Sequence, residues 1–293
     1  MKLGLFAVNY STCGDPASSV RVVQAAEAAG FESVWTGEHI VLPDPAPPSF
    51  PLAPQTPLLD TVVALTWIAA HTKCLRIASG IIVLPLRNPV LLAKELASLD
   101  IVSGGRLIVG VGAGWLDSEF RALGVPMQRR GELMDDSLRA MRALWTMEKP
   151  AHRGSSASFS NVVAYPRPAQ SPMPPIVIGG ESPAALVRAI MMGNGWYGFG
   201  LTLEQTIRHI ESLRRAREQH DRPTELGDLE ITVTPSGPFD ERTVEAYAAA
   251  GVHRLVVLPR PDVNHAQRHD PVPLDDILLN IENVRRVVER VMG

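Results

Sequence analysis

The pattern that decides the fold lies in residues 2–39, whose sequence is KLGLFAVNYSTCGDPASSVRVVQAAEAAGFESVWTGEH. Its apolar start, residues 2–8, predicts a short buried strand. The pair Asp15-Pro16 is typical of a helix N-terminus, and Gly30 is typical of the residue just beyond a helix. A second apolar run at residues 33–36 predicts the next strand. The stretch therefore predicts one strand–helix–strand unit.

The same alternation continues along the chain. Further helices are predicted to start at Thr56-Pro57, Asn88-Pro89 and Ser182-Pro183. A capping box of Thr202 with Gln205 predicts another helix start, and a last helix is predicted over 274–292. Apolar runs that alternate with such helices are typical of a parallel sheet covered by helices. We therefore predict one α/β domain over residues 1–293, a (β/α)8 TIM barrel, with strands at 2–8, 33–36, 75–84, 106–110, 175–178, 196–199, 229–234 and 253–258.

Composition excludes several classes of protein. Of 293 residues, 45% are hydrophobic and 20% charged, which is ordinary for a globular chain and wrong for a disordered one. The formal net charge of −3 does not indicate the basic surface that binds nucleic acid or an anionic membrane. No run of apolar residues is long enough to predict a membrane span, and no signal peptide is evident. Cys13 and Cys74 are too few for a disulfide framework or a zinc site, so we expect a cytoplasmic enzyme.

Two irregular segments interrupt the alternation of predicted strands and helices. Residues 42–57 contain seven prolines and directly follow the second strand and the pair Glu38-His39. Residues 149–174, rich in serine and proline, precede the fifth strand. Long irregular loops in a compact domain are often functional. We predict the first as a lid over the catalytic face, whereas the second is equally compatible with a lid and with a plain surface loop.

Candidate chemistry follows the strands, because the carboxyl ends of barrel strands face the substrate in this architecture. His39 lies just past strand two, where an imidazole can exchange a proton near neutral pH, although it could equally be a packing residue. Gly80, inside a β-branched run, indicates a bulge or a close backbone approach.

Two glycine-rich turns are candidate ligand cradles. Gly110, Gly112 and Gly114 alternate along strand four and leave bare backbone for a flat or phosphorylated ligand. The spacing lacks the third glycine of a dinucleotide fingerprint. After strand five, Gly179, Gly180, Glu181 and Ser182 open onto a helix N-terminus, which favours a phosphate, although a simple capped helix is the alternative. No metal-ligand spacing is present, so we predict no metal site.

Together these segments resemble the bacterial-luciferase-like superfamily, most closely its branch that uses the deazaflavin coenzyme F420. The resemblance covers residues 2 to about 200. Glu38-His39 is similar to the family's acidic residue–histidine pair, whose histidine lies beside the cofactor ring. Ser79, Gly80 and Ile81 are similar to the bulge that carries a non-proline cis peptide behind the ring, which we place at Gly80–Ile81.

The resemblance also implies a set of cofactor contacts and two departures. The cofactor-binding residues would be Glu38, Ser79, Gly80, Ile81, Gly112, Ala113, Gly114, Gly179, Gly180, Glu181 and Ser182, with His39 as the catalytic residue. Ala113 stands where the luciferases carry an arginine that touches the FMN phosphate. Trp115 stands where the deazaflavin-dependent sugar-phosphate dehydrogenases carry a catalytic glutamate. Trp115 and Trp196 would instead give an aromatic wall for an apolar or planar substrate.

The function that the resemblance implies is an F420-dependent oxidoreductase that transfers a hydride between deazaflavin and a small organic substrate, acting as a homodimer. Two alternatives stay open. One is an FMN-dependent luciferase-like monooxygenase, and the other is a non-catalytic cofactor-binding protein, because a fold alone does not determine function.

Overall fold

In the computed structural model, which describes residues 1–47, 50–260 and 271–292, parallel strands close into an eight-membered barrel. The pairing of β3 with β5 closes the sheet, and β4 continues β3 along the same side of β5. The barrel strands are β1 (Lys2–Leu5), β2 (Ser33–Thr36), β3 (Arg76–Ser79), β4 (Ile82–Val83), β5 (Leu107–Gly112), β8 (Ile176–Gly179), β9 (Gly195–Leu201), β10 (Glu230–Pro235) and β11 (Arg254–Val257). The two remaining strands, β6 (His152–Arg153) and β7 (Ser158–Phe159), form a separate hairpin. The predicted TIM barrel is confirmed.

The helices surround the barrel and mostly begin where side-chain caps were predicted. Asp15, Asn88, Ser182 and Thr202 each accept a hydrogen bond from a backbone N–H of the first helical turn. The start at Thr56-Pro57 is wrong, because Asp60 caps that helix instead. The helices are α1 (Pro16–Ala28), α2 (Thr61–His71), α3 (Pro89–Val102), α4 (Asp117–Ala122), α5 (Arg130–Thr146), α6 (Pro183–Met192), α7 (Leu203–Gln219), α8 (Glu241–Ala249) and α9 (Leu274–Met292).

The predicted continuous strand at 75–84 is divided into β3 and β4. The Gly80–Ile81 peptide bond between them is cis, as predicted. The Ser79 hydroxyl donates to the carbonyl of Gly110 at 2.8 Å and accepts from the N–H of the same residue at 2.9 Å. These two bonds take the place of ladder bonds at the break and hold β3 against β5.

A buried charge cluster closes the amino end of the barrel. Arg254 is fully buried, and its guanidinium pairs with Glu32 at 2.9 Å and with Glu230, and lies over the ring of Trp35. Paired charges of this kind satisfy one another where water is excluded. The opposite, carboxyl end is thereby left as the open end of the barrel.

The segment 149–174 does not cover the carboxyl end. Gln170 donates its backbone N–H to the Asp100 carboxylate at 2.9 Å and its side-chain amide to the carbonyl of Leu107, the first residue of β5. The β6–β7 hairpin is tied to α5 through Asp136. The lid interpretation of this segment is therefore wrong, because helix-to-strand connections return the chain to the amino end of the barrel.

No helix among the described residues combines the length and apolar character that a bilayer crossing requires.

Candidate active site

A cavity of about 660 Å³ opens at the carboxyl ends of the barrel strands. Residues that follow β1, β2, β3, β5, β8 and β11 line it, together with residues within β4 and β9. The proline-rich segment contributes Pro51, Leu52 and Thr56. One wall is apolar and consists of Phe6, Ile81, Val83, Tyr197, Phe199 and Leu258. Its size is in the range of pockets for small molecules and cofactors. The contribution of Pro51, Leu52 and Thr56 to the lining supports the predicted lid for the described part of residues 42–57.

The loop after β2 brings His39 into the cavity wall. Asn9 is fully buried and bonds both the carbonyl and the N–H of Gly37 at 2.9 Å, which fixes the backbone just before Glu38 and His39. The His39 side chain is 15% exposed, and its Nδ1 lies 3.0 Å from the Glu119 carboxylate. A second Glu119 oxygen accepts the N–H of Ile40 at 2.7 Å.

Glu38 points away from His39 and into an ion-pair network. Its carboxylate accepts the N–H of Val83 at 2.6 Å and a guanidinium hydrogen of Arg87 at 2.5 Å. Arg87 also bonds Asp60, the cap of α2, at 2.6 Å. Burial raises the pKa of Glu38, against the opposing effect of Arg87. Glu38 therefore anchors β4 to the loop after β2.

Aromatic rings cluster beside His39 at the entrance of the cavity. Trp115 follows β5 and is 61% exposed, while Phe50 of the proline-rich segment is buried. The ring centroid of Phe50 lies 5.4 Å from that of His39 and 5.8 Å from that of Trp115. A half-exposed indole at the entrance offers an apolar, flat contact surface.

Gly112 of β5 and Gly179 of β8 line the cavity, but the missing side chains of these glycines and of Gly110 make room for the chain itself. A Cβ on Gly112 would lie 2.5 Å from Cδ1 of Ile81, and one on Gly179 would lie 2.8 Å from Cγ2 of the same side chain. A Cβ on Gly110 would meet the Ser79 carbonyl oxygen at 1.8 Å. The expectation that this face is bare for a ligand is therefore wrong in part, because Ile81 occupies the space.

The turn after β8 carries features suited to an anion. Gly180 has a φ of +119°, which an L-residue rarely adopts, and the Ser182 hydroxyl caps α6. Arg188 on α6 and Arg130 at the start of α5 line the same cavity. Arg188 pairs with Asp135, whereas Arg130 and Arg260, the other arginines of the lining, have no acidic partner among the described residues.

Two predicted site residues lie outside the cavity lining. Ser79 is buried and its hydroxyl is used by Gly110. Trp196 is fully buried among the helices, donates its indole N–H to the carbonyl of Gly180 at 2.8 Å and packs on His209. Its predicted role in the substrate pocket is wrong, because the side chains of β9 alternate and Tyr197 is the one that lines the cavity.

The remaining predicted residues line one cavity together, namely Glu38, His39, Gly80, Ile81, Gly112, Ala113, Gly114, Trp115, Gly179, Gly180, Glu181 and Ser182. Sequence reasoning missed Glu119, Arg130 and Arg188. Glu119 and Arg130 lie far along the chain from His39 and from the Ser182 turn, whereas Arg188 lies on the helix that Ser182 caps and has no local signal of its own. No cluster of His, Cys, Asp and Glu that could hold a metal is found among the described residues.

Two further lining residues are poor proton donors. Burial raises the pKa of the Cys13 thiol to about 12. Burial also raises the pKa of Tyr197, whose hydroxyl bonds the Thr234 hydroxyl at 2.7 Å. His39 is consequently the lining side chain best suited to exchange a proton near neutral pH.

Comparison with known proteins agrees with the barrel fold. The profile of a family described as luciferase-like monooxygenase matches residues 1–272. An uncharacterised protein of Mycobacterium tuberculosis is 29% identical over 271 residues, which are 90% of this chain and 91% of that protein.

Two solved structures share the fold over the whole chain. A monooxygenase, RslO1 from Streptomyces bottropensis, has a TM-score of 0.77 at 22% identity and covers 100% of both chains. An F420-dependent secondary alcohol dehydrogenase, in complex with an F420–acetone adduct, has a TM-score of 0.78 at 16% identity and covers 100% of this chain and 99% of its own. At these identities the likeness concerns the fold alone.

Proposed function

Because the chain belongs to the luciferase-like monooxygenase family, we propose that it is an oxidoreductase that binds the deazaflavin F420 in the barrel cavity and exchanges a hydride with a small organic substrate. The observation that carries the proposal is the convergence of three features on one cavity: an apolar wall with Ile81, a histidine held at its edge, and a cationic end beside the Ser182 turn.

The residues present fit such a cofactor. Ile81 and Val83 give the apolar surface that a fused ring system needs, and the backbone of Gly112, Ala113 and Gly114 continues that surface. At the other end, a helix N-terminus with an arginine nearby suits a phosphate. Ala113 leaves this end without the arginine that the resemblance associates with FMN, which supports deazaflavin over FMN.

Each side chain of the site has a role in this proposal. A bound deazaflavin supplies a carbon that can accept or donate a hydride. His39 accepts or donates the accompanying proton. Glu38, through Val83 and Arg87, holds the wall behind the ring. Phe50 and Trp115 exclude water at the mouth and favour an apolar or planar substrate.

Binding of F420 to the purified chain, followed through the fluorescence of the cofactor, tests this proposal. We expect a saturable change at micromolar concentration. Arg130→Glu should weaken binding by about 10- to 100-fold, since a charge-assisted hydrogen bond contributes roughly 1.5–3 kcal/mol. Arg139→Glu is the matched control, because it makes the same change of charge at an exposed position of the same helix. An unchanged fluorescence at micromolar F420 contradicts the proposal.

An FMN-dependent monooxygenase is the second candidate, because a monooxygenase shares the fold over the whole chain. Preferential binding of FMN together with oxygen consumption would favour it. A non-catalytic protein would bind cofactor without any turnover. The homodimer and the cytoplasmic location stay predictions.

A further inference from the structure

Glu119 is buried against His39 and lies 80 residues from it in sequence. Its side chain is only 2% exposed. Within the described part of the chain, its carboxylate has two hydrogen-bond partners: one oxygen accepts the N–H of Ile40 at 2.7 Å, and the other lies 3.0 Å from Nδ1 of His39. A short helix, α4, presents Glu119 to the loop after β2.

This geometry determines where the imidazole carries its proton. An ionised carboxylate has acceptors only, so the short contact requires Nδ1 of His39 to be the donor. The neutral ring then has its lone pair on Nε2. His39 lines the cavity, and Nε2 has no hydrogen-bond partner among the residues that the structure describes.

We propose that Glu119 is a positioning residue that holds His39 in the Nδ1–H tautomer, so that Nε2 is the nitrogen that exchanges a proton with the substrate. The inference rests on the proposed function and adds to it a residue that acts through His39. In the oxidation direction the substrate loses a hydride, with its electron pair, to the deazaflavin and a proton to the lone pair of Nε2.

The carboxylate then stabilises the imidazolium that forms when Nε2 takes the proton. In the opposite direction, the same imidazolium returns the proton to the substrate. A histidine whose orientation and tautomer are held by a carboxylate is a general arrangement for acid–base catalysis.

The alternative is that Glu119 only ties the loop to α4 through the N–H of Ile40. The variant Glu119→Gln separates the two. Its amide oxygen can still accept that N–H, so the tie is kept. Its NH₂ group then faces Nδ1 of His39 as a donor, which forces Nδ1 to be an acceptor and moves the ring proton to Nε2.

The test is the ¹⁵N spectrum of the cofactor-free chain labelled at its histidines, with His39 assigned from His39→Asn. Two other histidines are internal standards. His71 must carry its proton on Nδ1, which lies 2.8 Å from the carbonyl of Trp67. His253 must carry it on Nε2, because its Nδ1 accepts the N–H of Ile231 at 2.9 Å.

We expect the neutral form of His39 to give the His71 pattern in the parent chain and the His253 pattern in Glu119→Gln, with both standards unchanged. A parent spectrum in which His39 has the His253 pattern overturns the proposal even if the variant does not fold. An unchanged His39 pattern in a folded Glu119→Gln overturns it as well.

Turnover gives a second readout. With F420 and a substrate that the parent chain converts, kcat of Glu119→Gln should fall by on the order of 10²–10⁴-fold with KM nearly unchanged. An unchanged kcat overturns the role of Glu119. Failure of the parent chain to bind F420 would refute the proposed function and would leave the tautomer result to stand separately.

Discussion

Substitution of Gly112 by alanine should destabilise the barrel through Ile81. The added Cβ would lie 2.5 Å from Cδ1 and 3.0 Å from Cγ1 of that side chain. Ile81 cannot move freely, because Gly179 already approaches it from β8, with an equivalent Cβ distance of 2.8 Å to Cγ2. Overpacking of this kind costs about 1–3 kcal/mol, so we expect Gly112→Ala to lower the free energy of unfolding by that amount.

A double-mutant cycle with Ile81→Val shows whether Ile81 is the cause. Valine lacks Cδ1, which is the atom closest to the new methyl group. Ile81→Val alone should cost about 0.5–1.5 kcal/mol. In the double variant the clash is relieved, and we expect the two changes to be less than additive by about 1 kcal/mol or more.

Urea unfolding of the four chains measures this coupling. Gly131→Ala is the matched control: a Cβ there would have only an ordinary contact, 3.6 Å, with the end of the Arg188 side chain. In a helix this change should be neutral or stabilising by up to about 1 kcal/mol, and additive with Ile81→Val. If Gly112→Ala is as stable as the parent, or strictly additive with Ile81→Val, the interpretation of Gly112 as space for Ile81 is refuted.

Two further perturbations test the entrance of the cavity and the β6–β7 hairpin. Trp115→Ala should raise KM for an apolar substrate by roughly 3- to 10-fold, since an aromatic contact contributes about 0.5–1.5 kcal/mol. The affinity for F420 should stay unchanged, and Trp115→Phe is the control. A change in F420 affinity in place of the change in KM would contradict the assignment of Trp115 to the substrate. Burial acts to raise the pKa of Asp136, but hydrogen bonds from Ser156 and the charge of His152 hold it below its usual range. The carboxylate therefore contributes stability above the unfolded-state pKa of about 3.9 and loses it as the pH falls through the lower folded-state value. Asp136→Asn should lower the free energy of unfolding at pH 7 by about 1–3 kcal/mol, and the gap between parent and variant should be smaller below about pH 4. A gap in unfolding free energy that does not change with pH would contradict this account of Asp136.

The barrel could be predicted because its signals are local. The caps at Asp15, Asn88 and Ser182 act within one helical turn, and these three predicted helix starts agree with the structure. The start at Thr56-Pro57 failed for a local reason too: Asp60, four residues on, is the residue whose carboxylate accepts the first-turn N–H groups.

The features of the site that sequence reasoning missed have long-range causes. The break at Gly80 was predicted, but the hydrogen bonds that hold it join Ser79 and Gly110, which are 31 residues apart. The role of the glycines depends on Ile81 from a neighbouring strand. Glu119 could be found only after folding brought α4 against the loop after β2. For Trp196, period-two alternation along β9 would have favoured Tyr197 for the inner face.

The most direct test of the central claim is a comparison of the dissociation constants of F420 and FMN for the same purified chain, measured by calorimetry under identical conditions. We predict that F420 binds at micromolar concentration or below and at least about 10-fold more tightly than FMN, a difference of about 1.4 kcal/mol. Tighter binding of FMN, with oxygen consumption when the flavin is reduced, would contradict the proposed function.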